Sequence, residues 1–444
     1  MANTYLTRTQ VAGNRQTFTQ SFWIKLSNTT DQGFIATFND SNNYNYCYLD
    51  SSTKQLSLQW KKSGGVIAQL NTDRKLRDVS GWYNVIYAVD TTQATAANRI
   101  KLYINGVQET VFSTATYPSQ NESIEVNDNG TTQYVGSIDG SQQYVNGVMS
   151  YVAQIDGTQE LPGIFGETDS TTGEWEIKTS ITPSVAWGNN GFLILKNGNS
   201  LTDESSNSNN FTLSGGTLTK TEDCPSNVFA TLNTLTYQAA SQSNSGTVQA
   251  YNGNTTWKSQ GSNQWGTIFS TIAPSTGKWY SEVKVGAIGG SAIVGVVDVA
   301  DARANASTEW YIGQSSTGQG YQNNGSASNG GASYGASYTT GDIIGCAMDL
   351  DNNKIYWSKN GTFQNSGVPT SGATGTGALT LTANTNYAFA VTGYNTTTMN
   401  CNFGNGHFGT TTVSSAGTNA SGIGIFEYDV PAGYAGLSTK GLNL

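Results

Sequence analysis

The sequence predicts an all-β protein: two β-sandwich domains in tandem, joined by a partly stranded connector. Three observations predict it. Charged residues make only 11% of the 444-residue chain, against roughly 25% in an average soluble domain. Asn, Ser, Thr and Gly take their place, and these residues disfavour helix interiors through backbone entropy or through side chains that compete for backbone hydrogen bonds. Several segments alternate apolar and polar residues with the period of a strand. Turn signals such as Asn105-Gly106 and Asn360-Gly361 punctuate them, supplying the positive φ that tight hairpins need. Aromatic residues at 11% give the chain anchors that a disordered polymer lacks.

The first block, residues 1–158, reads as strands throughout. Thr17 to Leu26 alternates, with Phe18, Phe22, Ile24 and Leu26 on or near one face; Gln55 to Trp60 alternates too. Gly81 to Asp90 is a nearly continuous apolar run, as in the middle of a sandwich, and Arg99 to Thr110 is strand, Asn-Gly turn, strand. Residues 159–237 are more polar and read as a connector with one or two strands that pack back on a neighbouring sandwich. Residues 238–409 again alternate, through Gly277 to Val285, Ile293 to Asp298, the Gly341 to Gly361 hairpin and Tyr387 to Val391. Residues 410–444 end the chain with a short strand and the Pro431 turn, a tail expected to dock on the second sandwich or meet a neighbouring subunit.

The net charge is −9 with no basic stripe, which predicts no nucleic-acid partner, since phosphate neutralisation needs clustered Lys and Arg. No stretch approaches the roughly 20 apolar residues that span a bilayer, so no membrane insertion is expected. The N-terminal residues Met1 to Phe18 contain no apolar leader core, which predicts synthesis in the cytoplasm without a signal peptide. Cys47, Cys224, Cys346 and Cys401 are scattered and read as small apolar fillers, with a Cys346–Cys401 bridge left open.

Four pieces in order carry a resemblance in the first block: Phe22-Trp23-Ile24-Lys25, Gly81-Trp82-Tyr83-Asn84-Val85, the Lys101 to Gly106 hairpin, and Tyr134-Val135-Gly136 followed by Gly147 to Val152. As a set they resemble the laminin-G-like branch of the concanavalin-A-like family. In the second block, Gly341-Asp342-Ile343-Ile344-Gly345, Asp349-Leu350-Asp351 and Ser358-Lys359-Asn360-Gly361 resemble a SPRY domain. That resemblance implies a bent sandwich that binds partners through loops, without catalysis. The order sandwich, connector, sandwich is similar to structural proteins of phages of aquatic bacteria.

An enzyme is the rival reading, because the concanavalin-like fold also carries glucanases. Glycoside hydrolysis needs two carboxylates about 5 to 9 Å apart. Glucanases of this fold draw them from one strand in a Glu-x-Asp-x-(x-)Glu arrangement; Glu167-Thr168-Asp169 lacks the third acid, Thr171 and Thr172 standing there, and Glu174 and Glu176 flank Trp175 in a polar segment. The one histidine, His407, has no companions for a zinc site or a triad. No catalytic residue and no obligatory cofactor are therefore expected. Calcium is the one cofactor considered, with Asp40, Asn42, Asn127 and Asp128 as the oxygen-rich loop candidates; Asn-rich turns give the same pattern without metal.

The binding candidates are aromatic residues among polar ones. Tyr44 and Tyr46 alternate with Tyr48 on one strand face. Trp310, Tyr311, Tyr321, Tyr334 and Tyr338 lie in a Gly-, Ser- and Asn-rich stretch where SPRY loops meet partners. Rings with polar tips suit glycan or protein surfaces. The expected function is that of a phage virion surface protein of tail-fibre type, a homo-oligomer on the particle, adhering to a host surface glycan or protein or to other virion proteins. A capsid decoration or head-fibre subunit without a receptor role, and a glycan hydrolase, are the alternatives.

Overall fold

The structure, a computed structural model, describes residues 3–234, 238–239, 250–259, 265–300, 312, 318–327 and 331–443. By its contacts the chain divides into two units, Met1–Lys220 and Thr221–Leu444. Among the described residues no helix is long and apolar enough to cross a membrane.

In the first unit an eight-stranded sheet runs in the order Phe112–Thr116, Gly65–Lys75, Gln55–Lys62, Asn43–Leu49, Gln32–Asp40, Thr132–Val135, Tyr5–Thr9, Thr212–Gly215. A six-stranded sheet runs Phe192–Ile194, Gly147–Asp156, Thr17–Leu26, Tyr83–Asp90, Ile100–Ile104, Val107–Gln108. One core holds side chains from both: Phe18, Phe22, Ile24 and Leu26 from one sheet meet Leu49, Leu58, Trp60 and Leu70 from the other. The connector belongs largely to this unit. Phe192–Ile194 pairs with Gly147–Asp156, Thr212–Gly215 pairs with Tyr5–Thr9, and Gly166–Thr168 forms a hairpin with Trp175–Ile177.

The same alternation that buries Phe18 and Phe22 also buries Gln20. Gln154, Gln20 and Tyr87 form one cross-strand row in the six-stranded sheet. Asn45, Thr37, Gln133 and Arg8 form a row in the other. All are at least nine-tenths buried. The rows meet where Gln133 Nε2 donates to Gln154 Oε1 at 2.7 Å. Gln154 Nε2 donates to Asn127 Oδ1, and Asn127 Nδ2 to Asp156 Oδ1. Asp156 also accepts the backbone amides of Asn14 and Asn190, while Arg8 donates to Asn190 Oδ1 at 2.8 Å. Burial draws the Arg8 guanidinium down to about 10 in spite of Asp203 and Asp156. The connector thus supplies partners that the sandwich interior requires.

In the second unit, a sheet of Gln238–Ala239, Trp265–Phe269, Tyr387–Tyr394, Ser291–Asp298 and Gln319–Gln322 shares a core with a larger sheet. The larger sheet runs Ala250–Tyr251, Thr256–Lys258, Thr398–Asn402, Lys278–Ala287, Ile343–Asp349, Lys354–Lys359, Thr362–Phe363, with Leu379–Thr380 and Ala435–Gly436 beside it. Cys346 and Cys401 are buried and free. They sit on strands either side of Lys278–Ala287, two strand spacings or about 10 Å apart, beyond the roughly 7 Å that a bridge can close.

The tail covers the outer side of the larger sheet. Phe426, Val430 and Tyr434 pack on Tyr280, Ala347 and Tyr356. Beneath the tail, Glu282 is fully buried and accepts the backbone amides of Glu427 at 2.7 Å and Tyr428 at 2.9 Å, together with the Tyr280 hydroxyl. Burial outweighs those donors and pushes the Glu282 carboxyl up to about 7.

Two outcomes follow from this packing. Residues 1–220 are expected to unfold cooperatively as an isolated fragment. Residues 1–158, which lack Asn190, the two returning strands and the core side chains Phe192 and Phe211, are expected to be less stable by at least roughly 3–5 kcal/mol, the cost of losing one large buried aromatic side chain. Equal urea midpoints for the two fragments would contradict the role given to the connector. For Glu282 the folded state keeps a proton that the unfolded state, at the ordinary value of 4.5, has released. Stability of residues 221–444 therefore falls as pH rises through the window from 4.5 to about 7. Thermal unfolding across pH 4.5–7.5 should show this slope in the native fragment and a flatter one in Glu282→Gln; an identical slope in both assigns it elsewhere.

Candidate functional site

Strand alternation divides Asn43–Leu49 cleanly. Asn45, Cys47 and Leu49 are buried, whereas Tyr44, Tyr46 and Tyr48 are half-buried on the outer face of the eight-stranded sheet. Tyr44 and Tyr46 stack at 4.0 Å with planes 10° apart, and Phe38 joins them at 6.3 Å and 22°. Lys61 Nζ lies 5.9 Å from the Tyr44 ring centre.

Beside the rings the neighbouring strands carry amides. The Tyr44 hydroxyl donates to Gln59 Oε1 at 2.9 Å, Gln59 Nε2 to Gln69 Oε1 at 2.8 Å, and Gln69 Nε2 to Asn71 Oδ1 at 2.6 Å. One phenol and three amides on three adjacent strands are thereby oriented as a single relay. On the other side stands a wall, the loop from Gly136 to Asn146. Its Ile138 packs directly on Gly33, where any side chain would collide with it, and Gly33 N donates to Gln143 O at 2.6 Å. Asp139 in this loop is held by Ser141 and Gln142. Tyr134, Tyr5 and Tyr144 clamp the far side of the loop, the Tyr144 hydroxyl donating to Gly140 O.

Burial, and after it the Asp139 carboxylate, pushes the Tyr46 phenol well above its ordinary value. Burial also raises Tyr48, with Asp50 and Asp31 adding to it, and raises Tyr44. All three phenols are neutral hydroxyls at physiological pH. The result is a shelf with an aromatic floor, a file of amides and one wall, suited to a ligand that offers apolar faces and many hydroxyls. Tyr44 and Tyr46 are visible in the sequence. Gln59, Gln69 and Asn71 are not, because only strand pairing brings them beside the rings; their one trace is the outward parity of each strand.

The second-domain candidates fare differently. Tyr321, Tyr334 and Tyr338 are 0%, 4% and 3% exposed, a correction to their reading as surface anchors. Tyr321 lies 5.5 Å from Tyr334 and 5.1 Å from Tyr338, and Tyr334 meets Trp357 edge-on at 5.2 Å. Their hydroxyls find backbone partners: that of Tyr338 donates to Ala292 O and Tyr321 O, and that of Tyr334 accepts the Trp357 N–H at 3.1 Å. Tyr321, Tyr334 and Tyr338 thus point inward and belong to the core. Trp310 and Tyr311 lie outside the described residues.

Of the calcium candidates, Asp40, Asn127 and Asp128 have side-chain oxygens engaged within the protein. Asp40 accepts from Asn42 N and Asn43 Nδ2 within its own turn. Asn127 Oδ1 accepts from Gln154, and Asp128 pairs with Arg15 at 2.9 Å. Among the described residues no group of three or more His, Cys, Asp and Glu is placed to hold a metal. Glu167 and Glu176 face one another across their hairpin, but both are exposed, as is Glu174. Trp175 between them serves as an anchor, donating from Nε1 to Asn84 Oδ1 at 3.0 Å. His407 is buried, its ring against Asn405 O and Thr412 Oγ1.

Comparison with known proteins agrees with this architecture. The profile of the concanavalin A-like lectin/glucanases superfamily, laminin-G type, matches residues 1–159, and that of the SPRY domain matches residues 278–400. No curated protein matches the chain. Among solved structures, the SPRY domain of human HERC1 is 15% identical, with 38% of this chain and 96% of that chain covered and a TM-score of 0.29. The heptameric SAP-like pentraxin of Limulus polyphemus is 15% identical, with 34% and 69% covered and a TM-score of 0.26. Domain 4 of an extracellular arabinanase from Geobacillus stearothermophilus, in complex with arabinotriose, is 16% identical, with 34% and 64% covered and a TM-score of 0.26. By these matches the chain carries a laminin-G-like domain of the concanavalin-A-like superfamily followed by a SPRY domain.

Proposed function

We propose that the protein is a non-catalytic adhesin that binds surface carbohydrate through the shelf on its first domain. The observation that carries this reading is the relay from Tyr44 through Gln59 and Gln69 to Asn71 beside the Tyr44, Tyr46 and Phe38 rings. Rings give contact area at low entropic cost. Amides fixed by one another present donors and acceptors without the ordering cost that a mobile side chain incurs on binding. The matching superfamily is one of lectins as well as glucanases, which is in keeping with a sugar ligand. The absence of catalysis is part of the proposal. Glu174 and Glu176 stand on an exposed hairpin, where carboxylates are solvated and no enclosed cleft holds them against a substrate.

The setting we propose is the surface of a phage particle, with the host envelope as the source of the carbohydrate. The order of a laminin-G-like domain, a connector and a SPRY domain, on a chain in which Asn, Ser, Thr and Gly displace charge, supports it.

Retention of the full-length protein on immobilised host-cell polysaccharide tests the binding. Tyr46→Ala and Gln59→Leu are each expected to weaken it roughly tenfold to thirtyfold, the scale of an aromatic or polar anchor. Their thermal midpoints should stay close to that of the unsubstituted protein, because both side chains lie on the outer face. Undiminished retention by both variants would remove the shelf from the reading. Steady release of reducing ends that disappears on Glu176→Gln would replace the adhesin with a hydrolase.

A further inference from the structure

Three features of the shelf bear on which carbohydrate it takes. The first is its shape. Tyr44, Tyr46 and Tyr48 succeed one another along a single strand, so the aromatic floor is a file about 14 Å long. The wall from Gly136 to Asn146 runs beside that file and not across it, since Ile138 packs on Gly33, the cross-strand partner of Tyr48, and Tyr134 is paired with Ala36, the partner of Tyr46. The floor is therefore bounded along one side and continues into the turns at each end.

The second feature is charge. Asp139 on the wall acts on Tyr46, and Asp50 and Asp31 act on Tyr48 at one end of the file. Asp40 occupies the turn at the other end, where Lys61 is the neighbouring cation, over Tyr44. Lys54 Nζ stands at the first end, donating to Thr29 O and Ser51 O beside Asp31 and Asp50. Four carboxylates on three sides of the file thus outnumber the two ammonium groups, on a chain whose net charge is −9. The third feature is the polar chemistry beyond the rings. Gln59, Gln69 and Asn71 are uncharged and each holds both donor and acceptor atoms, which matches hydroxyl groups and offers no charge-assisted bond to a carboxylate or sulfate.

We propose that the shelf binds the interior of an extended, uncharged glycan lying along the Tyr44–Tyr46–Tyr48 file, with about three sugar units in contact. This rests on the reading of the shelf as a carbohydrate site and adds its ligand class and orientation. A chain end is not required, because the file is open at both ends. Sugar faces lie on the rings, and hydroxyls on the side away from the wall meet the amides. Anionic glycans are repelled by Asp139, Asp50, Asp31 and Asp40, an effect that weakens as salt screens it.

Isothermal titration of the full-length protein tests this with linear gluco-, manno- and xylo-oligosaccharides of one to six units, and with oligogalacturonates of the same lengths. At least one neutral series should bind, with affinity rising to about three units and then levelling. The acidic series should bind at least roughly tenfold more weakly at low salt and draw closer at high salt. Asp139→Asn, which keeps the oxygen that caps the loop, should narrow the gap between the series. An acidic series that binds as tightly as the neutral ones, or a gap untouched by Asp139→Asn, overturns the charge assignment. A monosaccharide that binds as tightly as the trimer overturns the extended orientation. If no oligosaccharide binds while polysaccharide is still retained through Tyr46 and Gln59, the ligand class proposed here is wrong and the carbohydrate reading stands. If polysaccharide is not retained either, both fall together.

Discussion

The first domain depends on one buried polar seam. Gln20, Gln154 and Gln133 occupy core-facing positions of three strands, and their amides join one sheet to the other. A buried amide without a partner costs on the order of 1–3 kcal/mol, so this interior tolerates a single register. A one-residue slip in any of the three strands would turn a glutamine to the opposite face of its sheet and leave its partner unsatisfied. The seam reaches outward through Asn127 and Asp156 to Asn14, Asn190 and Arg8, and in doing so ties down the N-terminal segment and the connector. Polar connectivity, added to apolar burial, makes residues 1–220 one unit and not a sandwich with a loose extension.

That constraint also explains why the outer face is available for binding. Because Asn45, Cys47 and Leu49 are held inward, Tyr44, Tyr46 and Tyr48 are held outward with no freedom to turn in. Register between the strands then sets Gln59 against Tyr46 and Gln69 against Gln59. The site inherits its rigidity from the core behind it. Preorganisation of this kind leaves little ordering to be done when a ligand arrives.

The second domain uses its large sheet in the opposite way. There the outer face is closed by the chain's own tail, with Phe426, Val430 and Tyr434 over Tyr280 and Tyr356 and with Glu282 holding two tail amides. A carboxylate in that position is costly to ionise, as its rise to about 7 records, yet it satisfies backbone donors that no apolar residue could. The tail is thus an integral layer of this domain, and Tyr321, Tyr334 and Tyr338 belong to its core.

Alternation, turn residues and composition were sufficient to read the all-β class, the two sandwiches and the core faces of strands such as Thr17–Leu26, because those features depend only on the period of two in a strand. The same period placed Tyr44, Tyr46 and Tyr48 on one face. It could not say which face was core for the tyrosines beyond residue 320: a ring amid glycine and serine reads as exposed until the fold shows that the small residues let the chain close over it, as at Tyr321 and Tyr334. Nor could it find Gln59, Gln69 and Asn71, whose meeting with the Tyr44 hydroxyl depends on strand register, or Gln20, whose polar side chain sits at a core parity for a partner on another sheet. The sequence by itself determined periodicity, and periodicity determined class and local facing. Tertiary structure alone decided which distant polar groups were brought within hydrogen-bond reach, because that depends on pairings between strands that are remote in the chain.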